Sequence, residues 1–241
     1  MNNEELTKWF ENDKNNNELL KLYESKWNIV EKIFNIADDN ENSLVLFLSS
    51  IPYNYYKTNH KILMIGQENN GWAYFSSPKE SMRYTLGFQN IRRWEQFPIF
   101  TFPYNFCASI NECDKNETKK SYLAWTNLRK FSFDEEPKKY LEENIQKIID
   151  EEFNILEDEI KIINPDIVLF LTGYRYDNDI KKQLSGVEFS NVLGYDISQF
   201  ARLKHSVLPY NSFRIYHPGY LQRAKLYYEY LDKLREECNF K

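Results

Sequence analysis

Three polar residues, far apart in the chain, each stand just past an apolar run of strand length. Glu68 follows Ile62-Leu63-Met64-Ile65, Asn127 closes the run that begins at Ser121, and His217 follows Phe213-Arg214-Ile215-Tyr216. A carboxylate, an amide and an imidazole are the types needed to cleave a bond whose halves separate as a cation and an anion. The carboxylate stabilises the positive side and orients water, while the imidazole or amide donor stabilises the departing anion. Gly66 allows a sharp turn or a close approach to a ligand, and Gln67, Glu68, Asn69 and Asn70 then supply amides and the one carboxylate. Each residue also has a plainer use. Glu68 suits a solvated turn, Gln67 a helix cap, Asn69 and Asn70 the turn itself, and Asn127 the backbone groups at a strand end. His217 precedes a proline at a strand end, which sets it apart from an ordinary core histidine.

The elements that must position these residues are strands buried on both faces. Short apolar runs bounded by turn signals fit a parallel sheet, whose ligand crevice lies beyond the carboxyl ends of its strands. Four of the seven glycines (Gly66, Gly71, Gly173, Gly219) stand just past predicted strand ends and mark that edge. Residues 1–60 read as mainly helical, with the apolar patch 44–48 as a helix leading into the Pro52 turn. Residues 83–96 are expected as a helix carrying Arg92, Arg93 and Trp94, followed by an aromatic stretch bracketed by Pro98 and Pro103. Residues 140–163 read as one amphipathic helix with its acidic residues on the outer face, stopped by Pro165. Residues 166–173 form the third strand, 177–211 a short helix and irregular structure, 213–219 the fourth strand, and one last helix ends at Cys238. Strands alternating with helices imply an α/β domain with right-handed crossovers. No linker-like composition separates residues 1–60 from Lys61, so a single domain spanning 1–241 is expected.

The chain has 241 residues, 42% hydrophobic and 17% aromatic, enough to fill a substantial core. No apolar run approaches the roughly 20 residues of a membrane span. The acidic start, Met1 to Glu5, lacks a signal peptide's apolar core, so a cytoplasmic protein with no membrane partner is expected. Cys107, Cys113 and Cys238 form no C-x-x-C pair and read as reduced structural thiols. His60, His205 and His217 lack metal-ligand spacing, so neither a metal nor a cofactor is expected. The net charge is −5, but it is unevenly spread. Residues 61–130 hold 10 basic against 6 acidic residues and 201–241 hold 8 against 4, whereas 131–160 hold 3 against 11. Both positive segments carry the motifs above, a distribution compatible with phosphate contact.

Taken in order, the strand-end segments resemble the uracil-DNA glycosylase superfamily. Ile62-Leu63-Met64-Ile65-Gly66-Gln67-Glu68-Asn69 resembles its first motif, an apolar strand running into G-Q-D-P. Trp125-Thr126-Asn127-Leu128 resembles its middle strand ending in asparagine, and His217-Pro218-Gly219 its H-P-S motif. The run from Asn164-Pro165 to Gly173 matches its helix–proline–strand–glycine pattern. The resemblance covers roughly residues 60–240. It implies a three-layer α/β/α sandwich with a central four-stranded parallel sheet, 61–241 being the core and 1–60 a helical extension. It also implies a monomeric hydrolase that cleaves the N-glycosidic bond of uracil, or another deaminated base, flipped out of single- or double-stranded DNA. Glu68 then falls at the water-activating carboxylate, His217 at the donor to the leaving base and Asn127 at the reader of the base edge. Phe75 falls at the stacking aromatic, with Tyr74 and Trp72 as alternatives; Tyr220 or Leu221 would wedge into a duplex. The sequence departs from the pattern at Glu68, which replaces aspartate, at Asn69-Asn70-Gly71-Trp72, and at Gly219-Tyr220. A non-catalytic protein of the same fold that binds a nucleobase, nucleotide or nucleic acid fits the same residues.

Overall fold

In the computed structural model, the described residues are 3–39, 44–69, 71–73, 75–133 and 141–238. Three helices open the chain: α1 (Asn3–Asn12), α2 (Lys14–Ser25) and α3 (Trp27–Asp39). Asp13 separates the first two, its carboxylate accepting the Asn16 N–H at 2.8 Å to cap α2. The next segment corrects the sequence reading: β1 (Leu44–Leu46) is a strand, not a helix. Its antiparallel partner lies far along the chain, with Leu44 opposite Phe133. A short apolar run carries no periodicity that could have separated the two states.

The strand β2 (Ile62–Gly66) is followed by α4 (Pro78–Gln89) and α5 (Pro98–Ile110). The helix expected at 83–96 therefore starts and ends earlier. Ser77 caps it, Pro78 opens it, and Arg92, Arg93 and Trp94 lie in the turn beyond, where Trp94 has φ 67°. The bracketed aromatic stretch is itself α5, entered at Pro98 and holding Pro103 inside. Then come β3 (Leu123–Asn127) and β4 (Phe131–Phe133), the latter pairing with β1.

The single helix expected at 140–163 is two, α6 (Glu143–Glu152) and α7 (Leu156–Ile163); Tyr140 lies outside the described residues. Phe153 and Ile155 are both buried in the same core. Residues two apart point to different sides of a helix, so both reach that core only because the helix breaks between them. Asn164, at φ 49°, then closes α7 ahead of Pro165 in a left-handed conformation that asparagine tolerates.

The remaining elements are β5 (Ile167–Phe170), α8 (Asp177–Gln183), β6 (Glu188–Asn191), β7 (Phe200–Lys204), β8 (Asn211–Ile215), α9 (Pro218–Arg223) and α10 (Tyr227–Cys238). The stretch expected as irregular thus contains two strands, and the last helix is broken at Lys225, φ 61°. The central sheet runs β3-β2-β5-β8-β7-β6. It has six strands where four were expected: β3, β2, β5 and β8 are parallel, and β7 and β6 extend them antiparallel.

Alternate side chains of the parallel strands enter two separate cores. Leu63, Ile65, Val168 and Phe170 pack with α1, α2, α3, α6 and α7. Ile62, Met64, Leu169 and Phe213 pack with α5, α9 and α10. The period of two in strand side chains produces this division and explains why these strands read as unbroken apolar runs. No helix among the described residues is long and apolar enough to cross a membrane.

Candidate functional site at the carboxyl edge of the sheet

The carboxyl ends of β3, β2, β5 and β8 are laced together. The Leu128 and Arg129 N–H groups donate to the carbonyls of Gly66 and Gln67, both at 2.9 Å. Across the next gap the Gln67 Nε2 donates to the Thr172 carbonyl at 2.8 Å, and the Gly173 N–H to the Ile215 carbonyl at 2.9 Å. Gly173 has φ 72°, which suits glycine where the chain leaves β5. Gln67 therefore serves as a brace between two strand ends.

Asn127 closes β3 directly beside Gly66. Its Nδ2 donates to Asn69 Oδ1 at 2.6 Å, its Oδ1 accepts from Trp125 Nε1 at 3.1 Å, and it is 1% exposed. Asn69, also buried, donates onward to the Lys130 carbonyl at 3.3 Å. These two asparagines form one amide pair beneath the site, with Asn127 below the surface that a ligand would meet. Asn70 and Tyr74 lie outside the described residues.

Glu68 turns the other way, towards a cleft of about 390 Å³ lined by Glu68, Asn69, Arg129, Ser132, Tyr176 and Asp179 among others. Arg129 is the hub. Its guanidinium lies 3.7 Å from Glu68 and 3.0 Å from Asp179, over the Tyr176 ring at 4.9 Å. Burial works against its charge, but Asp179, Tyr176 and Glu68 together raise its affinity for the proton. Ser132 Oγ is buried without a partner among the described residues. A mouth holding two carboxylates, a guanidinium and an aromatic face is polar enough to orient a ligand carrying both donors and acceptors.

His217 caps α9, its Nδ1 accepting the Gly219 N–H at 3.1 Å. With Nδ1 an acceptor, the neutral ring carries its proton on Nε2. The histidine stands beyond β8, two strand positions from Glu68, which separates the strand axes by roughly 10 Å. Tyr216 and Tyr220 flank it, with ring centroids 4.7 Å apart; Tyr220 is exposed, whereas Leu221 is buried in the core. Phe75 packs against Tyr84 at 5.1 Å, and Trp72 against Phe47, Phe88 and Trp125. The cleft thus gathers Glu68 and Asn69; Gly66, Gln67, Asn127, Phe75 and His217 do not line it.

Arg129, Tyr176 and Asp179 escaped the sequence reading. The signal available was position, since Arg129 is the second residue past a strand end. A second missed cluster lies wholly inside. Lys130 Nζ meets Glu159 Oε2 at 2.5 Å and also contacts Thr126 Oγ1; Thr126 Oγ1 and Tyr23 OH donate to Glu159 at 2.9 and 2.6 Å. Burial pulls the Lys130 ammonium below the usual lysine range, partly offset by Glu159, and pushes the Tyr23 phenol well up. Glu159 is fully buried, which corrects its assignment to the outer face of an acidic helix. Among the described residues, no three His, Cys, Asp or Glu side chains are grouped to hold a metal ion. No protein-family model and no curated protein matches this chain.

Proposed function

We propose that the chain is an N-glycosidic hydrolase of the uracil-DNA glycosylase kind, built as a three-layer α/β/α sandwich. It acts without a cofactor on uracil or another deaminated base swung out of DNA. One observation carries the reading: Glu68 lines a cleft just past the end of β2, in a parallel set ordered β3-β2-β5-β8. That order brings the strand ends bearing Asn127, Glu68 and His217 to one edge. Glu68 stabilises the cationic sugar and orients the attacking water, with Arg129 fixing the direction of its carboxylate. On this reading the base lies across the sheet edge between the cleft and the end of β8, where His217, outside the cleft, donates to it from Nε2 as it departs. The Asn127–Asn69 pair holds the turn that aims Glu68, and the exposed Tyr220 meets the neighbouring nucleotides.

Base release decides the matter. Single- and double-stranded oligonucleotides containing uracil, hypoxanthine or xanthine are incubated with the folded protein, and free base is measured. Release from at least one substrate, lost in Glu68→Gln, is the expected result. No release from any substrate at high protein concentration would defeat the proposal.

A second reading rests on the engaged amide of Asn127, whose two polar atoms are both occupied by protein partners. On that reading the cleft binds a nucleobase or nucleotide, or a nucleic-acid end, without cleaving it. A thermal shift with bases or nucleotides, but no turnover, would favour it.

A further inference from the structure

Away from the carboxyl edge, two of the three cysteines face each other. Cys107 Sγ, in the last turn of α5, lies 4.0 Å from Cys113 Sγ, in the loop that follows the helix. Both are free thiols; Cys107 is buried and Cys113 half-buried. Asn111 organises the pair. Its Nδ2 reaches the Cys107 carbonyl at 3.2 Å and Cys107 Sγ at 3.5 Å. The same side chain exchanges two hydrogen bonds with the backbone of His60, at 2.8 and 3.1 Å. The Asp114 N–H donates to Tyr122 OH at 2.8 Å, holding the loop on the far side of Cys113. The two sulfurs are therefore kept in contact by a loop fixed at both ends.

We propose that Cys107 and Cys113 are an oxidisable pair that closes into an intramolecular disulfide when a hydroperoxide reaches Cys113. The bond requires sulfurs about 2 Å apart, so they must approach by about 2 Å more. Cys113 attacks first because it is the accessible member; once it is a thiolate, only the Cys107 thiol can donate across the contact, which favours that state.

In the first step the Cys113 thiolate bonds to one peroxide oxygen and the O–O bond breaks. Cys113 becomes a sulfenic acid, oxidised by two electrons, and the released hydroxide takes up the proton that Cys113 gave to solvent. In the second, Cys107 sulfur attacks Cys113 sulfur, the S–O bond breaks, and the Cys107 proton leaves with the hydroxide as water. Two thiols and one hydrogen peroxide thus yield one disulfide and two waters. Cys238 supplies an internal contrast, since it is buried in the core and makes no such sulfur contact among the described residues.

The test uses the full chain treated with a small molar excess of hydrogen peroxide, quenched, unfolded and alkylated. Peptide mass analysis should find residues 107 and 113 joined with the loss of two hydrogens, Cys238 alkylated, and the bridge opened by dithiothreitol. Titratable thiols should fall from three to one per chain. Cys113→Ser should abolish the bridge, and Cys107→Ser should leave a sulfenic acid at Cys113 that dimedone traps. Should Cys107→Ser fold poorly, Cys107→Ala, which puts no hydroxyl into the buried position, provides the same control. Cys107 and Cys113 remaining fully alkylatable, Cys113 oxidised beyond sulfenic acid without a bridge, or disulfides only between chains would each overturn the proposal.

Discussion

A Cβ built on Gly66 would fall 2.3 Å from Oδ1 of Asn127. The closeness reflects the register of two parallel strands, in which Gly66 and Asn127 are direct partners. Glycine is required here by a neighbouring side chain. Asn127 cannot easily swing aside, because it holds Asn69 and Trp125 and is buried.

Gly66→Ala should therefore cost about 2–3 kcal/mol, the sum of overpacking and broken buried hydrogen bonds. A lower denaturant midpoint with an unchanged slope would record it. In an Asn127→Ala background, which empties the space, the same substitution should cost less than about 1 kcal/mol. A double-mutant cycle measures the difference. Equal costs in both backgrounds would show that the strain comes from another neighbour, with Trp125 Nε1 at 3.5 Å the next nearest residue.

For Glu68 the expectation is a separation of chemistry from folding. Its side chain lines the cleft and not the core, so Glu68→Gln should leave the melting temperature within a degree or two, while base release falls by about 100-fold or more. Glu68→Asp shortens the arm and should restore part of the rate, because the charge remains. Single-turnover release of free base is the measurement. Full activity in Glu68→Gln would remove the carboxylate from the mechanism.

The parallel strands were legible because burial on both faces writes itself as an uninterrupted apolar run ending at Gly66, Gly173 or a polar residue. What the sequence concealed was pairing at a distance. β1 and β4 become strands only through each other, and β6 exposes most of its residues, leaving no apolar signature. The break between α6 and α7 hid because the apolar stripes of the two helices run on in register. At the site, Glu68 and His217 could be picked out by their places after strands. Arg129 stands at an equivalent place and was passed over, and Asp179 could not be picked out, because an acidic residue in the first turn of a short helix looks alike whether it faces solvent or a guanidinium. Glu159 was misread for a related reason: amid Glu157 and Asp158, only its partners Lys130, Thr126 and Tyr23 distinguish it.

That buried cluster joins α2, α7 and the end of β3, so its integrity should matter to the whole fold. Lys130→Met leaves the Glu159 carboxylate buried without its cation and should cost about 3–5 kcal/mol. Glu159→Gln, which strands the ammonium instead, should cost a similar amount. The double substitution should cost clearly less than the sum, since neither charge then remains. Calorimetric melts of the four proteins give the coupling, and strict additivity would mean that the two charges do not support each other.

Lys120 allows a pH test with a definite sign. Its Nζ donates to the Arg93 carbonyl at 2.7 Å and sits 3.6 Å from the centre of the Phe88 ring, and the residue is 2% exposed. Burial lowers its affinity for the proton to about 8, with Glu95 opposing part of the shift. In the unfolded chain the same group titrates near an ordinary lysine, about 10.4. The unfolded state therefore binds the proton more readily between those two values. The stability linked to this group is present in full above about pH 10.4 and is lost as pH falls through about 8. Other groups contribute in that window, among them tyrosines raised in the folded chain that titrate near 10 once unfolded, so the comparison must be with Lys120→Met. Relative to that variant, the native chain should gain stability as pH rises from about 8 to about 10, by on the order of 2 kcal/mol. Denaturant unfolding of both proteins across that range measures the difference. A difference that stays flat, or that reverses, would mean that Lys120 holds its proton in the folded chain at least as firmly as in the unfolded one.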